Sequence, residues 1–306
     1  MAGIGNTPIV RLSRLVPPGS GEVWVKLEAA NPTGSYKDRM ALAMIEGAER
    51  RGDLRPGDTV VEYTGGSTGS SLALVCSVKG YRLRLVTSDA FAQEKLRTMA
   101  AFGAELDIVP SPDGIHPGLI PAMAARAAEI VAETGAYPMA QFTNRDALDG
   151  YRGIGAEAVG QIDGRIDAVC LYVGVGGCLV GTSAGIAGRW PEVHRVAIEP
   201  AESAVLSGGE PGTHRIEGGG VGFVPPLLQP NEDGHVPYDE VINVATADAF
   251  AMARRAAQVE GIWGGPSTGA NLLAAIRLAE RLGSEHRILT AQCDSGLKYL
   301  SSNLYS

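Results

Sequence analysis

Lys37 closes the run Asn31-Pro-Thr-Gly-Ser-Tyr-Lys-Asp-Arg39, and its setting suggests a chemistry. Pro32 and Gly34 oppose a helix, whereas Ser35 and Asp38 fit a capping box that opens one. Lys37 then falls in the first turn, where the positive end of the helix dipole disfavours an ammonium. A lysine held so deprotonates readily and forms Schiff bases. From spacing alone a surface lysine beside a cap is the favoured reading, since lone lysines are common.

Glycine and hydroxyl loops recur further along. Tyr63-Thr-Gly-Gly-Ser-Thr-Gly-Ser-Ser71 follows a strand-like run and opens a helix-like one. Its backbone N–H groups, with the hydroxyls of Thr64, Ser67 and Thr68, suit a carboxylate or a phosphate. Gly174-Val-Gly-Gly-Cys178 repeats the pattern after the most apolar run of the chain and suits a phosphate. Neither is a nucleotide fingerprint: GxxxxGK[ST] is unmatched, and GxGxxG would need glycine where Leu179 stands. In Gly264-Gly-Pro-Ser-Thr-Gly-Ala270, Ser267 could cap a helix or bond a ring nitrogen. Asp294-Ser-Gly296 also follows a strand-like run. Each loop has an ordinary turn as its alternative.

Strands must hold these loops. Strand-like runs at Glu22–Leu27, Thr59–Glu62, Arg82–Val86, Glu105–Val109, Asp167–Val173, Arg195–Glu199, Glu240–Val244 and Arg287–Ala291 alternate with amphipathic or alanine-rich runs. The latter lie at Tyr36–Arg51, Ser67–Lys79, Ala92–Phe102, Leu119–Thr134, Ala247–Glu260 and Thr268–Leu282, with another after the Gly174 loop. Repeated βα units predict an α/β protein with mainly parallel, doubly wound sheets covered on both faces. The strands are too many for one sheet at this length, so two domains are expected. Their ligand is expected in a crevice at the carboxyl ends of the strands.

Composition closes off other classes. Of 306 residues 45% are hydrophobic and 20% charged, enough for a sizeable core. A net charge of −8 offers no basic stripe for phosphate backbones, so no nucleic-acid partner is expected. Cys76, Cys170, Cys178 and Cys293 show no CxxC spacing, and three lie in apolar, strand-like stretches. They read as reduced residues of a cytoplasmic protein. The five histidines form no HxxxH or HExxH, so no metal site is expected. The first residues show no signal peptide. Residues 168–188 carry no charge and are long enough to cross a bilayer, but six glycines make strand, loop and helix the better reading, so no membrane partner is expected.

Over almost its whole length the chain resembles the cysteine synthase (O-acetylserine sulfhydrylase) group of fold-type II pyridoxal-phosphate enzymes. The resemblance is carried by Gly5-Asn-Thr-Pro-Ile-Val-Arg-Leu12, Lys26-Leu-Glu28, Asn31–Arg39, Ala41–Glu46, Gly80-Tyr81, Gly103-Ala-Glu105, Gln141-Phe142 and the GVGG loop. It continues through Ala197-Ile-Glu-Pro200, Leu206–Gly209, Gly218–Pro225, Glu260-Gly-Ile262 and Asp294–Leu300. It implies pyridoxal 5'-phosphate bound as an aldimine to Lys37 and a phosphate loop at Gly174, Val175, Gly176, Gly177 and Cys178. Ser267 would meet the pyridine nitrogen and Ser67 the cofactor's ring hydroxyl. Thr64, Gly65, Gly66, Thr68 and Gln141 would bind the substrate carboxylate.

The resemblance further implies a larger cofactor-binding domain at 1–35 plus 145–306, a smaller mobile substrate-binding domain at 36–144, and a homodimer. The implied reaction is β-replacement on an O-activated L-serine through an α-aminoacrylate, giving L-cysteine or a related β-substituted alanine. A β-eliminating lyase (serine/threonine dehydratase or cysteine desulfhydrase) and a cofactor-binding protein with little catalysis are the alternatives. The chain departs from the group's TSGNTG and GTGGT loops: Tyr63, Gly65 and Ser67 replace proline, serine and asparagine, and Val175 and Cys178 replace two threonines. These losses of hydroxyl and amide groups imply a retuned site.

Overall fold

The computed structural model describes residues 1–112 and 118–306. In chain order its elements are β1 (Ile9–Arg11), β2 (Glu22–Leu27), α1 (Lys37–Arg51), β3 (Thr59–Tyr63), α2 (Ser67–Lys79), β4 (Arg82–Ser88), α3 (Gln93–Ala101), β5 (Glu105–Val109), α4 (Leu119–Thr134) and β6 (Tyr137–Pro138). There follow α5 (Asp146–Gln161), β7 (Ala168–Tyr172), α6 (Gly177–Ala187), β8 (His194–Pro200), β9 (Glu240–Val244), α7 (Thr246–Glu260), α8 (Pro266–Leu282) and β10 (Arg287–Gln292). The expected alternation is present, and two short strands, β1 and β6, and the glycine-rich helix α5 join it.

The chain forms two compact units. One comprises Met1–Tyr36 and Leu148–Ser306, the other Lys37–Ala147. The first holds a six-stranded sheet in the order β1-β2-β10-β7-β8-β9. Only the β1–β2 pair is antiparallel. All five residues of β7 are buried, as a central strand of a sheet covered on both faces requires. Two apolar clusters fill this unit, one including Val23, Val25, Cys170, Val196 and Leu272, the other Val169, Leu171, Leu179, Ala197 and Leu289. Successive residues of β7 and β8 thus enter opposite clusters, as the two-residue period of a strand dictates.

The second unit holds a parallel four-stranded sheet in the order β5-β4-β3-β6. Helix α2 is buried from Thr68 to Cys76 and ends at Gly80, whose φ of 80° supplies the left-handed cap. Of the cysteines, Cys170 alone lies in a strand; Cys76 is in α2, and Cys293 follows β10. All four are free, and Cys76, Cys170 and Cys293 are buried. The uncharged stretch at 168–188 is strand, loop and helix, and among the described residues no helix is long and apolar enough to cross a membrane. His116 lies outside the described residues.

Candidate active site

In the first unit, β7 runs into Val173-Gly-Val-Gly and then into α6. Gly176 has a φ of 87° and caps α6 with no side-chain bond. The backbone donors of the first helical turn have no intrahelical acceptor, so this end suits an anion. Its walls are close. A Cβ at Gly174 would lie 2.8 Å from the Gly218 carbonyl oxygen, and one at Gly176 would lie 2.6 Å from Leu228 Cγ. Val175 is buried and Cys178 half-buried, so the two departures from the family loop differ in exposure.

Ser267 is the second residue of α8 and is 3% exposed. Three side chains fix that helix start. The Thr268 hydroxyl oxygen accepts from Cys293 N at 3.1 Å, and Asp294 Oδ1 accepts from Gly265 N at 3.2 Å. Asn271 Oδ1 accepts from Tyr172 N at 2.6 Å, while its amide donates to the Ala291 carbonyl. The segment 214–220 passes alongside: a Cβ at Gly218 would lie 3.6 Å from Ser267 Oγ. Ile216 N donates to His214 Nδ1 and Gly220 N donates to the Val173 carbonyl. His214 therefore carries its proton on Nε2, which donates to Gly220 O at 2.8 Å. Asp294 opens the Asp294-Ser-Gly296 run that the sequence singled out, whereas His214 and Asn271 have no motif of their own and were legible only as polar residues near loops.

A second polar network in this unit underlies the Asn31 run. Lys26, fully buried, donates to Glu157 at 2.6 Å and to Thr7. Thr7 donates to Glu28, which in turn accepts from the Asn31 amide at 2.8 Å. Asn31 Oδ1 accepts from Gly5 N.

In the second unit, Lys37 opens α1 and is 9% exposed, which places it in the first turn as the spacing predicts. Asp38 accepts from the Ser71 hydroxyl at 2.6 Å, so α1 is bonded to α2. The Thr64 loop leads from β3 to α2. Gly66 caps α2 without a side-chain bond and Ser67 is its first residue. Thr64 Oγ1 accepts from Gly66 N at 3.1 Å. Thr68 donates to Gln141 Oε1 at 2.9 Å, so the two groups expected to share a role meet. Gly65 is covered by the Phe91 ring, and any Cβ there would run into it. The rings of Tyr63 and Phe142 stack at 6.0 Å.

Glu62 escaped the sequence reading. It is 2% exposed at the end of β3, and its carboxylate accepts from Tyr63 N at 2.9 Å and from Gln141 N at 3.0 Å. Burial pushes its carboxyl up to about 7, against the two N–H groups, which lower it. The available signal was a lone charge inside a strand with no solvent-facing side.

The donor set fits a phosphorylated pyridine aldehyde. A capless helix start at Gly176 suits the phosphate, a buried neutral hydroxyl at Ser267 suits the ring nitrogen, and a buried amine at Lys37 suits the aldehyde. Among the described residues no group of three or more His, Cys, Asp or Glu could hold a metal ion. One mainly parallel α/β unit with such a helix start, and a second with a buried lysine, are the parts that a cofactor-dependent α/β enzyme needs.

The comparisons give the particular family. The model of the pyridoxal-phosphate dependent enzyme family matches residues 1–294. A cysteine synthase of Staphylococcus aureus is 41% identical over 305 residues, 99% of this chain and 95% of that one. The crystal structure of an O-ureido-L-serine synthase superposes with a TM-score of 0.89 at 35% identity, over 99% of this chain and 93% of that one. That of the O-acetylserine sulfhydrylase isoform 3 of Entamoeba histolytica does so with 0.90 at 33%, over 99% and 90%. The chain belongs to the pyridoxal-phosphate dependent enzymes, and its cofactor is pyridoxal 5'-phosphate.

Proposed function

We propose that this enzyme performs β-replacement on an O-activated L-serine, with O-acetyl-L-serine and sulfide giving L-cysteine and acetate as the reference pair. The structural observation that carries the reading is Ser267: the helix start assigned to the ring nitrogen offers a buried hydroxyl, not a carboxylate. A hydroxyl does not hold a ring proton as a carboxylate does, and this favours loss of a β leaving group over lingering charge at Cα. The relatives support the same chemistry, since cysteine and O-ureido-L-serine are both β-substituted alanines.

When bound, pyridoxal phosphate acidifies the Cα proton of an attached amino acid by delocalising charge into its ring. Lys37 would hold the cofactor and would serve as the base that takes the Cα proton on Nζ. Gly174, Val175, Gly176, Gly177 and Cys178 would hold the phosphate through the start of α6, and Ser67 would meet the ring hydroxyl. Thr64, Gly65, Gly66, Thr68 and Gln141 take the substrate carboxylate. The Cβ–O bond breaks, the ester oxygen leaves with its acyl group, the nucleophile forms the new bond to Cβ, and the proton held on Lys37 Nζ returns to Cα.

We assign Lys37–Ala147 the substrate-binding role, with mobility, and the other unit the cofactor. We further propose a homodimer, which rests on the family resemblance alone, and a cytoplasmic location, with which four free cysteines agree. The test is product analysis of the holoenzyme with O-acetyl-L-serine, O-phospho-L-serine and sulfide. A new β-substituted alanine from at least one ester is expected. Pyruvate and ammonia alone, at the same rate with and without sulfide, would make the enzyme a β-eliminating lyase instead.

A further inference from the structure

Glu62 does something that a strand residue need not do. One oxygen of its carboxylate accepts from the N–H of Tyr63, where the Thr64 loop begins, and the other accepts from the N–H of Gln141. Gln141 closes the circuit: its amide donates to the Tyr63 carbonyl at 3.3 Å, and its Oε1 accepts from Thr68 at the far end of the loop. Ala140, just before Gln141, has a φ of 52°, a left-handed conformation that a residue with a side chain adopts only when its surroundings impose it. The Glu62 bond to the next N–H is one such constraint, and the Ala140 carbonyl accepts from Thr143 N and Asn144 N.

Filling the space at the end of β3 would take only an apolar side chain, and a buried carboxylate is costly. What a carboxylate alone offers is acceptors on both oxygens and no donor. A glutamine of the same size would turn an NH2 group toward one of the two N–H donors. We propose that Glu62 is the positioning residue of the substrate-carboxylate loop, its ionised side chain tying Tyr63 and Gln141 into one rigid frame. This rests on the reading of Thr64–Thr68 and Gln141 given above.

The clamp should respond to pH. Burial places the Glu62 carboxyl near 7, and among the described residues the titratable side chain coupled to it is the Tyr63 phenol, itself raised by burial and by Glu62. Protonation removes one acceptor, so Glu62→Gln imitates the acid form at every pH.

The experiment titrates L-alanine, which has the carboxylate but no leaving group, against wild-type holoenzyme and Glu62→Gln, followed by the visible cofactor band from pH 6 to 8. The ratio of the two dissociation constants cancels the ionisation of the alanine amino group. It is expected to rise from about 2 at pH 6 to about 10 at pH 8, the worth of one charged hydrogen bond, with cofactor content unchanged. A ratio that stays flat would overturn the clamp. Wild type that binds no L-alanine at any pH would overturn the assignment of the loop instead. Hydrogen exchange of the Tyr63 and Gln141 amides in the wild type needs no variant and decides the clamp in either case. Protection of these two amides relative to those of Val60 and Val61, which share any global loss of stability, is expected to grow between pH 6 and 8, and a constant relative protection would refute it.

Discussion

The Gly174 and Thr64 loops have the same outline: a buried strand, two adjacent glycines and a helix whose N-cap makes no side-chain bond. They are held in opposite ways. The Gly174 loop is shaped by close neighbours of its own backbone, with the Gly218 carbonyl and the Leu228 side chain standing where side chains would begin. The Thr64 loop is held by side chains: Glu62, Gln141, Thr68 and the Phe91 ring over Gly65. A loop made by exclusion of side chains has one shape and tolerates little change. A loop made by titratable and hydrogen-bonding groups can be retuned residue by residue. The departures from the family pattern accord with this. In the Gly174 loop the glycines remain and only flanking hydroxyls are lost, whereas the Thr64 loop differs at Tyr63, Gly65 and Ser67.

The contrast can be broken at its rigid side first. Gly176→Ala must place a Cβ on a residue with φ of 87° and 2.6 Å from Leu228 Cγ. Strain and overpacking together should cost roughly 2–5 kcal/mol. Thermal unfolding should fall accordingly, and the purified protein should lose its cofactor; a variant with wild-type melting and full cofactor content would show that the loop is not shaped by exclusion.

The Glu62 carboxyl gives the next effect, on stability. Its folded value near 7 lies above the ordinary 4.5, so the folded state binds the extra proton between the two. That contribution is fully present below about 4.5 and is lost as pH rises through about 7, on the order of 3 kcal/mol in all. Relative to wild type, Glu62→Gln should therefore gain stability steadily from pH 5 to 8 in denaturant unfolding. A difference independent of pH would contradict the buried, titrating carboxyl.

Thr68→Ala removes one neutral bond to Gln141 and one hydroxyl from the loop. It should weaken L-alanine binding about tenfold, ~1–1.5 kcal/mol, and leave cofactor retention intact. Loss of the cofactor in this variant would mean that the two loops are not separable in function.

Much of this was legible because apolar periodicity reports burial. The fully apolar run at β7 and the alternation of strand and helix gave two mainly parallel sheets. Helix α5 was hidden by Gly150, Gly153, Gly155 and Gly160, which read as loop residues. Two glycines of the α5–α6 contact serve close packing instead: a Cβ at Gly155 would strike the Thr182 carbonyl, and one at Gly185 the Arg152 carbonyl. Strands β1 and β6, three and two residues long, are too short for any period. At the site, Lys37, Ser267 and the glycine loops carry local signatures. Glu62, Gln141 and Thr68 meet only through the fold, because 73 positions separate the last two. Neighbouring letters could not disclose that pairing without a resemblance.

The central claim is that Lys37, at the start of α1, bears the cofactor. Borohydride reduction of the holoenzyme followed by peptide mapping tests it most directly. The pyridoxyl group is expected on the peptide containing Lys37. A modification on Lys26, buried with Thr7 and Glu157, or on Lys79, paired with Glu49, would contradict the account.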